Sequence, residues 1–226
     1  KWSSLNDKMV SVVYQGLNDK TPKKLSDFVK NVAGVINQLE GDTLPVSAFI
    51  EADGTLPCGT TQFEKRGIAV NVPEWQPENC IQCNQCAYVC PHAVIRPFLI
   101  SQEEKAKAPK SLVTVKGKGQ GIDQYDYRIQ VSVLDCTGCG VCAETCPSPK
   151  KALIMKPLGS QQEQKANWDF ILNNVTYKDT VVKKNTVKGS QFSQSLFEYS
   201  GACAGCGETP YVKLITQLFG DRMTIA

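Results

Sequence analysis

Two matched runs of cysteine constrain this chain more than any other feature. The first is Cys80-Ile-Gln-Cys83-Asn-Gln-Cys86-Ala-Tyr-Val-Cys90-Pro91, and the second is Cys136-Thr-Gly-Cys139-Gly-Val-Cys142-Ala-Glu-Thr-Cys146-Pro147. Both read C-x2-C-x2-C-x3-C-P, so one short motif is written twice. Three cysteines at this interval can wrap one loop around a compact cluster and reach three of its irons. The fourth lies past a short helical turn and points away from that loop. The proline after it sets φ, removes a donor and redirects the chain. Structural zinc fits poorly, because zinc sites pair C-x2-4-C units across a longer gap with four ligands to each metal. A disulfide framework also fits poorly, since the thiols are clustered and no secretory leader is evident. The runs therefore predict two cubane iron–sulfur clusters and a path for single electrons.

The spacing is that of two-cluster bacterial ferredoxins, in which the fourth cysteine of a run ligates the other cluster. On that pattern Cys80, Cys83, Cys86 and Cys146 hold one cluster, and Cys136, Cys139, Cys142 and Cys90 hold the second. A ferredoxin-like domain is expected over residues 77–157, with an insertion between Cys90 and Cys136. Each run leads to an apolar triplet, Ala93-Val94-Ile95 and Ala152-Leu153-Ile154, expected as short strands that shield the clusters from water. Within the insertion, Leu112 to Val115 reads as a strand, and the alternation of Tyr127, Ile129, Val131 and Val133 as another. The lysine-rich stretch Ser101 to Lys118 reads as a solvated loop, with docking of an acidic partner as the sharper alternative.

The flanks carry weaker signals. Thr21-Pro22 caps an expected helix bearing Leu25, Phe28, Val29, Val32, Val35, Ile36 and Leu39, with Gly41 as its stop. Ile68, Val70 and Val72 alternate as a strand before Pro73. Trp75 to Asn79 reads as a linker. Residues 158–199 read as a connector with one helix through Trp168, Ile171, Leu172 and Val175, and its polar remainder is expected to lie extended over a neighbouring domain. Thr209-Pro210 caps a further helix ending at Gly220. The fold class is α+β: a two-cluster ferredoxin-like domain flanked by partial α/β domains at 1–76 and 200–226.

Bulk properties exclude some functions. The net charge of +3 indicates neither a nucleic-acid surface nor a polybasic membrane anchor. No apolar stretch approaches the roughly 18 residues of a membrane span. Eleven cysteines in clusters point to a reducing compartment, the cytoplasm. The chain opens at Lys1 and closes at Met223-Thr-Ile-Ala226 on what reads as the start of a strand, so both ends read as cuts in a longer polypeptide.

A third pair, Cys203-Ala-Gly-Cys206, is weak alone and fits half a zinc site, half a cluster site or a redox dithiol. Only Cys58 remains besides, so the chain cannot supply four cysteines to a third cluster. Around that pair, Phe197-Glu-Tyr-Ser-Gly-Ala-Cys-Ala-Gly-Cys-Gly-Glu-Thr-Pro-Tyr211 resembles the pyruvate:ferredoxin (or flavodoxin) oxidoreductases. So do the preceding cysteine runs, Asp53-Gly-Thr, and Glu64-Lys-Arg66-Gly-Ile-Ala, which matches the family segment named for its Glu-Lys-Arg. The resemblance covers nearly the whole chain.

It implies a thiamine diphosphate and magnesium enzyme that converts pyruvate and coenzyme A to acetyl-CoA and reduces ferredoxin or flavodoxin, as a homodimer. It further implies that Cys203 and Cys206 belong to a cluster near thiamine, and that Glu208 lies against thiamine diphosphate; an ordinary first-turn helix acid is the plain alternative. The pyruvate site and the magnesium motif are missing, so this piece should relay electrons without decarboxylating. A stand-alone two-cluster carrier is the rival reading, and the third cysteine pair argues against it. Among other residues, His92 reads as packing beside a cluster, Arg96 as bonding a carbonyl or a carboxylate, and Cys58 as incidental. Glu64, Lys65 and Arg66 read either as a solvated turn or as an interdomain ion pair.

Overall fold

The computed structural model describes residues 13–14, 23–49 and 55–224. The expected Thr21-Pro22 cap, Asp53-Gly54 and the Ile225-Ala226 end lie outside them. The chain divides into two compact units, Lys1–Arg66 and Gly67–Ala226. Among the described residues no helix is long and apolar enough to cross a membrane.

In the first unit, β1 (Val13–Tyr14) is followed by α1 (Lys23–Phe28), a wide π turn over Val29–Ala33, and α2 (Gly34–Asn37). The expected helical period is present, but only Val29 and Val32 of its apolar positions are buried, whereas Leu39 is 83% exposed. The run stops short of Gly41, because Leu39 itself turns left-handed at φ 63°. The unit closes with β2 (Glu64–Lys65), paired antiparallel to β1. Arg66 Nη2 pairs with Glu64 Oε2 at 2.9 Å at the surface, where Glu64 and Lys65 lie on a strand rather than in a turn.

The second unit begins earlier than the expected boundary after residue 76, and the reason is a strand pair. The alternating run does not end before Pro73; instead β3 spans Asn71–Trp75 and includes it. Ile68 and Val70 are left exposed. Proline is tolerated because this is a two-stranded ribbon whose outer edge needs no donor. The partner strand lies beyond the second cysteine run, so residues 67–76 belong with the cysteines.

Chain order then gives α3 (Gln85–Tyr88), β4 (Ile95–Ile100), α4 (Gln102–Ala106), β5 (Val115–Lys116) and β6 (Asp126–Val131). After these come α5 (Val141–Glu144), β7 (Leu153–Pro157), α6 (Glu163–Asn174), α7 (Val187–Ser190) and α8 (Thr209–Phe219). β3 pairs antiparallel with β7, in register Val72↔Lys156 and Trp75↔Leu153. β4, β6 and β5 form an antiparallel sheet in that order, in register Ile95↔Val131 and Ile100↔Asp126. The expected strand at Leu112 shrinks to Val115–Lys116.

Alternation sorts the β4–β6 sheet. Ile95, Leu99, Tyr127, Ile129 and Val131 point into the main core with the cysteines. Phe98 and Ile100 face the other way and pack with Leu112, Ile171 and Val175. That second face also carries Asp126, Arg128 and Gln130, which a strand alternation would normally send to water. Here α6 covers Arg128 and Gln130, with Gln164 Oε1 accepting from Arg128 Nη2 and from Gln130 Nε2, both at 2.9 Å, while Asp126 pairs with Lys105 and accepts from Thr114 Oγ1 at 3.2 Å. Burial lowers the Arg128 guanidinium to about 10.

The connector therefore does not lie over a separate domain. Trp168, Ile171, Val175, Phe192, Ser193 and Ser195 are all buried within this same unit. α8 packs there too, with Lys213 at 2% exposure.

The lysine-rich stretch is not wholly a loop either. Ser101 and Glu104 form a reciprocal capping box that starts α4. Glu104 then reaches across to the connector, accepting from the Thr176 backbone at 2.9 Å and from Lys178 Nζ at 2.6 Å. Burial pulls the Glu104 carboxyl up, but Lys178 and the backbone donors of Thr176 and Ser101 outweigh it and hold it at about 2. A depressed carboxylate contributes stability above its unfolded value and loses it as pH falls through the folded one. E104Q should therefore cost about 1–2 kcal/mol at neutral pH. The gap from wild type should close as pH falls from about 4.5 toward 2. Hydrogen exchange of the Thr176 amide in the two proteins checks both parts.

Candidate metal centres

The eight cysteines of the two runs line two chambers in the main core. One is walled by Cys90, Cys136, Cys139 and Cys142 together with Pro91, His92, Val94 and Ile95. The other is walled by Cys80, Cys83, Cys86 and Cys146 together with Trp75, Tyr127, Ile129 and Leu153. They are nearly equal in size, ≈ 360 and ≈ 320 Å³ of space including their mouths. Each gathers three cysteines of one run and the last cysteine of the other. α3 and α5 bring this about: each carries the third cysteine on its first turn and delivers the fourth just past its end, on the side facing the other loop.

The donor set suits an iron–sulfur cube. Thiolates are soft ligands, and four of them around an apolar chamber match the ligand count of a 4Fe–4S cluster. All eleven cysteines are free thiols. Among the described residues no three histidine, cysteine, aspartate or glutamate side chains close on a single ion; the sulfurs stand around a space. Backbone donors already address sulfur: Gly138 N–H to Cys136 Sγ at 3.4 Å and Ala152 N–H to Cys146 Sγ at 3.3 Å. Burial, with the neighbouring Cys90 and Cys139 adding to it, pushes the Cys136 thiol up to about 12 against the Gly138 donor. The Cys86 and Cys142 thiols are raised for the same first reason, burial.

Wrapping a loop around each chamber requires left-handed backbone at two positions. In the second loop these are Gly138 at φ 71° and Gly140 at φ 75°, where glycine carries no Cβ penalty. In the first they are Gln82 at φ 60° and Asn84 at φ 63°. Those two side chains bond outward instead. Gln82 donates to Lys116 O and accepts from Lys118 N–H, both at 2.8 Å. Asn84 donates to Lys188 O at 2.8 Å and accepts from Tyr127 Oη at 2.6 Å. The insertion and the connector thus hold the first loop in the shape that the second takes through glycine. No motif in the sequence marks Gln82 and Asn84 for this task, apart from standing where the sister run has glycine.

The third pair lies beside the second loop. A Cβ on Gly205, between Cys203 and Cys206, would sit 3.6 Å from Cys139 Cβ. Cys203 and Glu208 are exposed and Cys206 is half-buried. Backbone N–H groups of Thr209 and Glu208 lower the Cys206 thiol. Glu208 takes the N-cap position of α8 that sequence reading assigned to Thr209, and makes no side-chain cap bond. His92 Nε2 donates to Ala202 O at 2.9 Å, and Tyr199 N–H donates to His92 O at 3.0 Å. The histidine that follows the first run therefore holds the segment leading into the third pair. Arg96 meets both partner types expected of it, donating to Ala93 O at 2.6 Å and pairing with Glu198, with its guanidinium over Trp168 at 5.1 Å. Cys58 is exposed and lies in the first unit, outside both chambers.

A domain family described as a 4Fe-4S dicluster domain matches residues 73–147. A second, described as a domain of unknown function and named EKR, matches residues 15–69. Over 227 aligned residues the chain is 53% identical to "Pyruvate-flavodoxin oxidoreductase" of Enterobacter agglomerans, covering 100% of the chain. It is 57% identical over 201 residues to "Pyruvate:ferredoxin oxidoreductase" of Moorella thermoacetica, covering 88% of it. It is 50% identical over 212 residues to "Pyruvate dehydrogenase [NADP(+)]" of Cryptosporidium parvum, covering 93% of it. The chain is homologous to a segment of these pyruvate oxidoreductases. It spans 18%, 17% and 11% of their respective lengths.

Within this oxidoreductase segment the dicluster match ends at Cys146–Pro147, whereas the fold needs ten further residues: Leu153–Pro157 closes the ribbon with Asn71–Trp75. Gly138 is the most demanding position of the second loop, since an added Cβ would meet Asn71 O at 2.9 Å and Ala69 Cβ at 3.2 Å. G138A should cost about 1–3 kcal/mol from the left-handed backbone alone. The first loop should be spared. Chemical denaturation, with iron counted in the purified variant, tests this.

Proposed function

We propose that this chain is an electron relay in a pyruvate oxidoreductase. Cys80, Cys83, Cys86 and Cys146 hold one 4Fe–4S cluster, and Cys136, Cys139, Cys142 and Cys90 hold the other. The observation that carries this reading is the composition of the chambers, three cysteines of one run with the fourth of its sister. When bound, such clusters take up and release electrons one at a time, at potentials set by charge, hydrogen bonds to sulfur and exposure. The chain's own side chains wall them with Ile95, Tyr127, Ile129 and Leu153, exclude water, and aim the Gly138 and Ala152 amides at sulfur.

Cys203 and Cys206 would supply half the ligands of a third cluster near thiamine diphosphate, and Glu208 would lie against that cofactor. The approach of Gly205 to Cys139 supports an order. With clusters bound at all three places, electrons would enter at the third pair, pass to the chamber of Cys136, Cys139, Cys142 and Cys90, then to that of Cys80, Cys83, Cys86 and Cys146. They leave to ferredoxin or flavodoxin. In the whole protein, pyruvate and coenzyme A become acetyl-CoA and carbon dioxide, with Glu208 against thiamine diphosphate and the other contacts to that cofactor and Mg2+ made elsewhere in the protein. The whole protein acts as a homodimer in the cytoplasm, where thiols stay reduced.

This chain, expressed and purified without oxygen, should be brown and hold about eight irons and as many sulfides, the content of two cubes. Colourless protein holding zinc would end the reading. C90S should damage the cluster of the Cys136 run and C146S that of the Cys80 run. Resolved spectra in which each serine harms its own run instead would exclude the crossed assignment.

A further inference from the structure

The two short cysteine helices end in the same way, and the way they differ carries a consequence. After α5, Lys151 Nζ donates to Glu144 O at 2.8 Å and to Cys146 O at 3.0 Å. After α3, the equivalent carbonyls are those of Tyr88 and Cys90. They receive Lys213 Nζ at 3.1 and 3.2 Å, and Ala87 O accepts from it as well. Each helix thus has an ammonium on its orphan carbonyls, beside the cysteine that crosses to the other chamber. Lys151 is local to its helix and exposed to water. Lys213 comes from α8, far along the chain, and is 2% exposed.

A buried cation is costly unless negative charge lies near it. Among the described residues no carboxylate pairs with Lys213; the other buried cation alongside, Arg96, already has Glu198. Three carbonyl dipoles answer part of the ammonium's charge. The remaining negative charge at hand is that of the thiolates, Cys90 above all, whose own backbone carbonyl is one of the three acceptors. Resting on the cluster assignment above, we infer that Lys213 tunes the relay: its buried charge favours the reduced state of the cluster bound by Cys90, Cys136, Cys139 and Cys142. Adding an electron there adds negative charge next to an unscreened cation, so the potential rises. Lys151 holds the matching place for the other cluster, but water screens it. The fold therefore sets two similar clusters apart by burying one lysine and exposing its counterpart. α8 also follows the third pair directly, so docking of that segment and the tuning of the cluster beside it are one event.

The test is a potentiometric titration, followed by electron paramagnetic resonance, of the natural-length protein purified without oxygen. K213Q removes the charge and keeps N–H donors for the carbonyls. It should lower the equilibrium constant for reducing one cluster at least tenfold, about 59 mV for a one-electron couple. K213R should restore it, and K151Q should leave both potentials near wild type. Wild-type potentials in K213Q, or equal shifts in K213Q and K151Q, would overturn the inference. Loss of the clusters in K213Q, whatever K213R does, would make the lysine an assembly group and overturn it as well. Wild-type protein without iron and sulfide would instead defeat the cluster assignment itself.

Discussion

Everything in the second unit depends on one arrangement: each chamber is completed by a cysteine from the opposite run. A loop that closed on its own four thiols could fold by itself. These cannot, because Cys90 leaves the first run for the second chamber and Cys146 makes the reverse crossing. The two halves are interlocked at buried cysteines. The β3–β7 ribbon and the β4–β6 sheet then serve as walls, and their apolar faces point at the chambers because alternation leaves them no other core to join.

The second consequence of that arrangement is how the rest of the chain is used. The insertion and connector do not wander away from the cysteine core. Lys116, Lys118 and Lys188 meet Gln82 and Asn84 and hold the first loop left-handed. Tyr127 does the same from inside the sheet. Glu104 ties α4 to the connector, and α6 buries the polar face of β6. The second loop needs none of this scaffolding, since Gly138 and Gly140 adopt the same shape unaided. One motif has two solutions: glycine where the loop stands on its own, and hydrogen-bonded side chains where longer segments reach it.

Proximity also sets the two chambers apart. Gly205 of the third pair lies beside Cys139, His92 links the first run to the segment entering that pair, and α8 plants Lys213 at the end of α3. All three contacts fall on the side of the Cys90 and Cys136 chamber. The chamber nearest the third pair is therefore also the one with a buried lysine beside it, so two near-identical motifs stand in different surroundings.

Much of this was legible in the chain itself. The cysteine spacing named the grouping of cysteines that the two chambers show, the alternation through Tyr127, Ile129 and Val131 marked β6, and Trp168 and Ile171 marked α6. What misled was local. Pro73 was read as a stop, yet it sits inside β3, because a two-stranded ribbon has an edge to spare for it. The Ser101–Glu104 box was hidden by the lysines around it. The polar connector was read as a cover for another domain, but Ser190, Gln191 and Ser195 are buried and bond to side chains and backbone within this unit. The sequence alone determined which soft donors the chain offers and at what spacing, because residue type and interval are written in consecutive positions. Only the tertiary structure decided which segment supports which loop and which lysine loses its water, because burial arises from contacts between residues more than a hundred positions apart, as between Lys213 and Cys90.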